Sequence, residues 1–170
     1  MNYGISRSTS KHVWFLNAGD KVFGQLTVTN IDGTTLLPVR YENFFNKTVQ
    51  IKVRRRLDFG MPYCHQGIIY INSEIKFETF WKFGADYLYT LIYIKRFGWS
   101  YSLLKDVYVL YDNSGYSAKN RQESDWYTAS LIFFKFGIFS SIKFSLWSRF
   151  KLILKFVKAV IMRIRKVDLL

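Results

Sequence analysis

Cysteine is almost missing from this chain. Cys64 stands alone, so no internal disulfide can form, and with His12 and His65 the only histidines no zinc site of the usual cysteine and histidine kind can be assembled. Long uncharged apolar runs are missing too. Lysines and arginines interrupt the greasy C-terminal region every few positions, so no segment reaches the ~18 consecutive apolar residues of a spanning helix. Met1 to Ser10 is polar and has no apolar core of signal-peptide length, so export is not expected. Acidic residues are scarce, 12 against 25 lysines and arginines, which leaves a formal net charge of +13. The expected neighbour is therefore anionic: nucleic acid, an acidic membrane face or a phosphorylated substrate.

Apolar and aromatic residues, by contrast, are plentiful, 49% and 19% of the 170 positions. That is enough for one packed domain and a tail, with little room for a second domain. An apolar run from Lys11 to Asn17 stops at Ala18, Gly19 and Asp20, the pattern of a buried strand ending in a loop, which is where α/β proteins place their chemistry. Val22 to Asn30 alternates with period two and is followed by Asp32 and Gly33 and then Thr34 to Val39, which predicts a hairpin. Gly60 to Ile71 joins turn residues to a short apolar run, and Ser73 is placed to cap a short helix. Leu88, Leu91, Ile92 and Lys95 fall at helical spacing within Ala85 to Phe97, with Asp86 in the first turn. Lys105 to Tyr111 reads as a strand and Asp112 to Ser117 as a loop. From about Gln122 the pattern is helical, with a break near Gly137 to Ser141. Mixed strands and helices predict an α/β or α+β domain followed by a basic helical tail.

Several short blocks carry a family likeness. Met1-Asn2-Tyr3-Gly4-Ile5 and then Val13-Trp14-Phe15-Leu16-Asn17-Ala18-Gly19-Asp20 resemble segments close to MNKGI and FLNAGD in family 2 glycosyltransferases, especially those of colanic acid and related bacterial surface polysaccharides. Gly60-Met61-Pro62-Tyr63-Cys64-His65-Gln66-Gly67 resembles that family's MPxCHQ segment, Ala85-Asp86-Tyr87 its ADYD segment, and Gly115-Tyr116-Ser117 its GGxS loop. The blocks occur in the family's order, from Met1 to roughly Glu123. The likeness implies the C-terminal part of a GT-A, nucleotide-diphospho-sugar transferase fold over residues 1–121 and a helical tail over 122–170. Relatives carry further strands ahead of the MNKGI-like segment that grip the nucleotide, so an N-terminally truncated member is expected. The chain departs from the pattern at Leu88, which interrupts ADYD, at Ser114, which replaces the first glycine of GGxS, and in a short stretch after Asp20.

The resemblance implies an inverting sugar transfer from a nucleotide-sugar donor to a saccharide or lipid-linked acceptor. Asp86 is its candidate general base, because a carboxylate suits removal of the acceptor hydroxyl's proton; the alternative is an ordinary first-turn aspartate favoured by the helix dipole. Asp20 is the candidate ligand for Mg2+ or Mn2+, which would neutralise the departing diphosphate. The family's D-x-D element has Asn17 and Gly19 in its place here, and the alternative for Asp20 is a turn residue. Asn17, His65, Gln66, Tyr87 and Ser117 are the implied donor or acceptor contacts, His65 and Gln66 as neutral hydrogen-bond donors, with a satisfied core histidine as the alternative for His65.

At about 100° per residue, Lys151, Lys155, Lys158, Arg165 and Lys166 share one arc of the C-terminal segment. Leu152, Ile153, Phe156, Val157, Val160 and Ile164 take the opposite side. This is the pattern of an interfacial anchor on an anionic membrane, or else of a helix packed on the domain. The expected location is the inner face of the cytoplasmic membrane, as a peripheral protein. Rival readings are a basic nucleic-acid-binding module, suggested by Arg54 to Arg56 and the many aromatics, and a membrane-surface interaction protein without catalysis. Nucleic acid is not expected, since no helix-turn-helix, RNP or zinc-finger pattern is present.

Overall fold

The computed structural model describes residues 1–26, 33–42, 48–54, 56–112 and 115–167, apart from the side chains of 117, 118, 152 and 155–167. The described residues form a mixed α/β structure of two small mixed sheets and five helices. In the first sheet, β6 (Ile68–Ile71) lies between β1 (His12–Trp14) and β3 (Thr34–Leu36), antiparallel to both, and β7 (Tyr101–Leu103) runs parallel to β3 on the far edge. The second sheet places β8 (Tyr108–Leu110) between β2 (Lys21–Phe23), antiparallel, and β4 (Val39–Glu42), parallel, with β5 (Thr48–Gln50) antiparallel on the outer side of β4. The two sheets share a spine. Only Leu37 and Pro38 separate β3 from β4, and the chain beside them also continues from one sheet to the other, with Leu104 N donating to Leu36 O and Val109 N to Pro38 O. Pro38 has no N–H to offer, which marks the point where one ladder stops and the next begins.

β6 is the apolar run Ile-Ile-Tyr-Ile, buried on both faces as its sequence predicts. Helix α2 (Ala85–Phe97) packs on this sheet. Tyr93 is fully buried there, and its hydroxyl donates to or accepts from Thr34 Oγ1 at 2.9 Å and accepts from Ile71 N at 3.0 Å, tying the helix to two strands. The N-terminal helix α1 (Asn2–Arg7) is held by a reciprocal pair in which Asn2 Nδ2 donates to Phe77 O and Phe77 N donates to Asn2 Oδ1.

The expected hairpin is not formed. β2 pairs with β8 and β3 with β6 and β7, so the two segments belong to different sheets; residues 27–32, including Asp32, lie outside the description. A period-two pattern specifies a strand but not its partner. Ser73 begins no helix either. The segment after β6 is extended, anchored by Asn72 Nδ2 donating to Ser8 O and Ser10 O and by the Asn2–Phe77 pair, so tertiary hydrogen bonds replace a helical turn. The segments expected at Ala85 to Phe97 and beyond Gln122 are helical, the latter as α4 (Arg121–Phe136) and α5 (Ile138–Val167) broken at Gly137; the short α3 (Tyr116–Lys119) precedes them.

These C-terminal helices are joined to the domain. Leu131, Ile132 and Phe144 form a second apolar cluster with Tyr87 and Leu88 of α2. Gly84 makes the approach possible: its φ is +78°, and a Cβ there would stand 2.8 Å from Leu131 Cδ1. Among the described residues no helix is long and apolar enough to cross a membrane.

Candidate functional site

Three segments far apart in sequence converge on one cavity of about 390 Å³: the loop after β1, the turn-rich stretch before β6, and the start of α2. Its lining includes Asn17, His65, Gln66, Asp86 and Tyr87, five of the residues expected from the sequence. A larger groove of about 880 Å³ lies between α1 and the extended segment after β6, but it is lined by none of the expected residues. The smaller cavity is the candidate because polar and ionisable groups from separate elements meet there.

Asp86 sits half-buried in the first turn of α2, behind Gly84. Its Oδ1 accepts from Tyr87 N at 2.9 Å, and Oδ2 has no protein partner among the described residues. Tyr87 itself is buried in the second cluster, with its hydroxyl donating to Leu57 O, and burial raises its pKa. It supports the wall of the cavity as a packed ring whose polar end is already occupied.

His65 is 3% exposed, stacked on Phe15 at 5.2 Å between ring centres. Its protonation follows from a hydrogen-bond chain. Thr90 Oγ1 donates to Asp86 O at 2.8 Å, which commits its only hydrogen; Tyr70 must therefore donate to Thr90 at 2.9 Å, and His65 Nδ1 must carry the proton that Tyr70 accepts at 3.1 Å. Burial lowers the imidazole pKa, against a smaller opposing influence from Asp86, so the ring is neutral with Nε2 as a bare acceptor. Donation from His65 to a diphosphate would need a second proton that burial disfavours. One ring nitrogen is partnered and Nε2 is buried without a partner among the described residues, and the chain links the ring to the backbone carbonyl of Asp86.

Gln66 is buried and accepts twice, from Trp14 Nε1 at its carbonyl (2.7 Å) and from Cys64 Sγ at Oε1 (2.9 Å). Burial pushes the Cys64 thiol up to about 12, so it stays protonated and is no nucleophile. Asp20 folds back on its own loop: Oδ2 accepts from Asn17 N and Oδ1 from Asp112 N, both at 3.0 Å. It thereby staples the end of β1 to the end of β8. Gly19 permits this closeness, since a Cβ there would lie 2.5 Å from Asp112 Oδ2. Asp86 lines the cavity of about 390 Å³ and Asp20 is not among its lining residues. Both Asp20 oxygens thus accept backbone hydrogen bonds, and among the described residues no group of three or more histidine, cysteine, aspartate or glutamate side chains is gathered to hold a metal ion. Ser114 and the side chain of Ser117 lie outside the description.

No family model, curated protein or solved structure matches this chain.

Lys52 and Arg54 also line the cavity and were not among the expected contacts. They alternate with the half-buried Ile51 and Val53, so both basic side chains emerge on the open side, and the segment is fixed by Ile51 N donating to Val39 O and Arg54 N to Pro62 O. That alternation, directly ahead of the Gly60 to Gly67 block, was the signal available in the sequence. The basic run is not one continuous stripe. Arg56 turns away to clasp Asp58 with two hydrogen bonds, which lowers the Asp58 pKa, and Arg55 lies outside the description.

Proposed function

We propose that this chain is part of a family 2, GT-A type glycosyltransferase that moves a sugar from a nucleotide-sugar donor to a saccharide or lipid-linked acceptor in bacterial surface polysaccharide synthesis, working at the inner face of the cytoplasmic membrane. The observation that carries the reading is the convergence of Asn17, His65, Gln66, Asp86 and Tyr87, drawn from three separate family-like blocks, on one cavity. Sequence likeness does not by itself require those blocks to meet in space.

In this reading the unpartnered Oδ2 of Asp86 takes the proton of the acceptor hydroxyl as that oxygen attacks the anomeric carbon. The bond to the donor diphosphate breaks with inversion, and the nucleoside diphosphate departs with the electron pair. Lys52 and Arg54 supply positive charge to the departing diphosphate. Asp20 would be the one carboxylate to hold Mg2+ or Mn2+, and the cation would add charge neutralisation. The basic C-terminal segment attracts the protein to anionic lipid.

The test is transfer of labelled sugar from a panel of nucleotide sugars to a lipid extract of bacterial membranes, using the chain expressed with any in-frame sequence that flanks it. Transfer is expected with at least one donor, and Arg54→Ala is expected to weaken binding of the nucleoside diphosphate by about threefold to thirtyfold, the worth of about 1 to 2 kcal/mol for one charge-assisted contact. No transfer from any donor, together with unaltered diphosphate binding in Arg54→Ala, would remove the proposal.

A further inference from the structure

Helix α5 has two unlike sides over its first half. Phe144 and Ser148 are buried against the domain, 8% and 7% exposed. On the other side Phe139, Ile142, Leu146, Phe150 and Ile153 recur at intervals of three and four residues, and their exposures run from 49% to 77%. Such spacing makes one continuous stripe along about 21 Å of helix. Exposed Lys143 and Arg149 fall on its two flanks at 100° per residue. The stripe adjoins a groove of about 660 Å³ between α4 and α5, lined in part by Phe80, Trp126, Phe133 and Phe134, of which Phe80 and Phe134 are 84% and 71% exposed. Apolar surface on this scale, rimmed by charge, marks a docking face.

Charge selects the occupant. Between Trp126 and Val167 the sequence contains nine lysines and arginines and no acidic residue. A second copy would bring two strongly positive faces together, whereas an anionic bilayer satisfies both the apolar stripe and its basic borders. Aromatic rings with charged neighbours are also the residue types that settle at the headgroup level.

We infer that the outer face of α4 and the first half of α5, from Trp126 to Ile153, lies directly on an anionic lipid surface, so that the domain rests on the membrane instead of hanging from a terminal anchor. The inner sides of the same two helices, through Ser124, Thr128 and Phe144, wall the cavity that holds Asp86. Docking therefore brings the cavity within about one helix diameter, ~10 Å, of the headgroups. For sugar transfer this favours an acceptor carried on a lipid, a consequence that rests on the function proposed above; the docking itself does not.

The experiment is cosedimentation of the full chain with vesicles of phosphatidylcholine alone or mixed with phosphatidylglycerol, comparing wild type with Phe139→Asp/Leu146→Asp. Both positions precede Lys151, so the terminal basic arc is intact in the variant. Wild type is expected to bind the anionic vesicles at least about tenfold more tightly than neutral ones, and the variant to lose at least about tenfold with its circular dichroism unchanged. Tryptophan fluorescence of the wild type should be quenched by lipids brominated near the headgroup, through Trp126 and Trp147. Equal binding by variant and wild type, or no quenching, overturns the inference. So does a wild-type dimer that binds no vesicles and dissociates on the double substitution, which would make the face a self-association surface. Sugar transfer plays no part in these readouts, so this inference and the proposed function fail separately.

Discussion

Tyr70→Phe removes one hydroxyl from the middle of the buried chain that runs from His65 through Thr90 to the carbonyl of Asp86. The ring keeps its volume, so no cavity opens and the loss is confined to hydrogen bonding. Two groups are affected unequally. His65 Nδ1–H loses its acceptor in a site with no access to water, at a cost of about 1 to 3 kcal/mol for a stranded buried donor. Thr90 Oγ1 loses a donor but still gives its own hydrogen to Asp86, so its share is smaller, at most about 1 kcal/mol. The expected destabilisation is about 1 to 4 kcal/mol. For a chain of this length each kcal/mol corresponds to about 2 to 4 °C, so the melting temperature should fall by about 2 to 16 °C. Differential scanning calorimetry on both proteins at pH 7.5 measures this directly. A shift under about 1 °C would mean that the chain of hydrogen bonds, and the His65 tautomer deduced from it, is wrong.

Other consequences follow from the same packing. Gly84→Ala should destabilise by at least about 1 to 2 kcal/mol from the left-handed backbone alone, with more from the overlap with Leu131, and should loosen α4 from α2; urea unfolding followed by circular dichroism reads both effects. His65 has its pKa lowered in the folded protein, so the unfolded chain binds the extra proton more readily. The contribution is present in full above the unfolded value of about 6.5 and is lost as pH falls below it. Melting temperature should therefore decline on acidification from about pH 6.5, and His65→Gln should flatten that decline while lowering the plateau; an unchanged slope would show that His65 is not the titrating group.

Much of the secondary structure was legible because it depended on local pattern. The Ile68 to Ile71 run, the helix beginning at Ala85 and the break at Gly137 each carry their signal within a few residues. Partners were not legible. Nothing in Val22 or Thr34 says that the first pairs with Val109 in one sheet and the second with Tyr101 in another, since strand pairing is decided by burial across the whole chain. At the site, the family-like blocks pointed to Asn17, His65, Gln66, Asp86 and Tyr87, yet gave no hint that Tyr87 spends its hydroxyl on Leu57 or that both oxygens of Asp20 serve backbone amides. Lys52 and Arg54 were marked only by their alternation with Ile51 and Val53 at the start of a basic run. Their separation from Arg56 depends on Asp58, two residues further on, turning that guanidinium away.

The central claim is that Asp86 is the base of a transfer site, and it is tested most directly by measuring turnover and donor affinity together for wild type and Asp86→Asn with the same nucleotide sugar. The substitution keeps the side chain's shape and its bond from Tyr87 N but removes the proton acceptor. Turnover should fall by about 10² to 10⁴ while the Kd for the donor stays within about twofold of wild type. Turnover within about threefold of wild type, at unchanged donor affinity, would contradict the account and return Asp86 to the role of a first-turn helix aspartate.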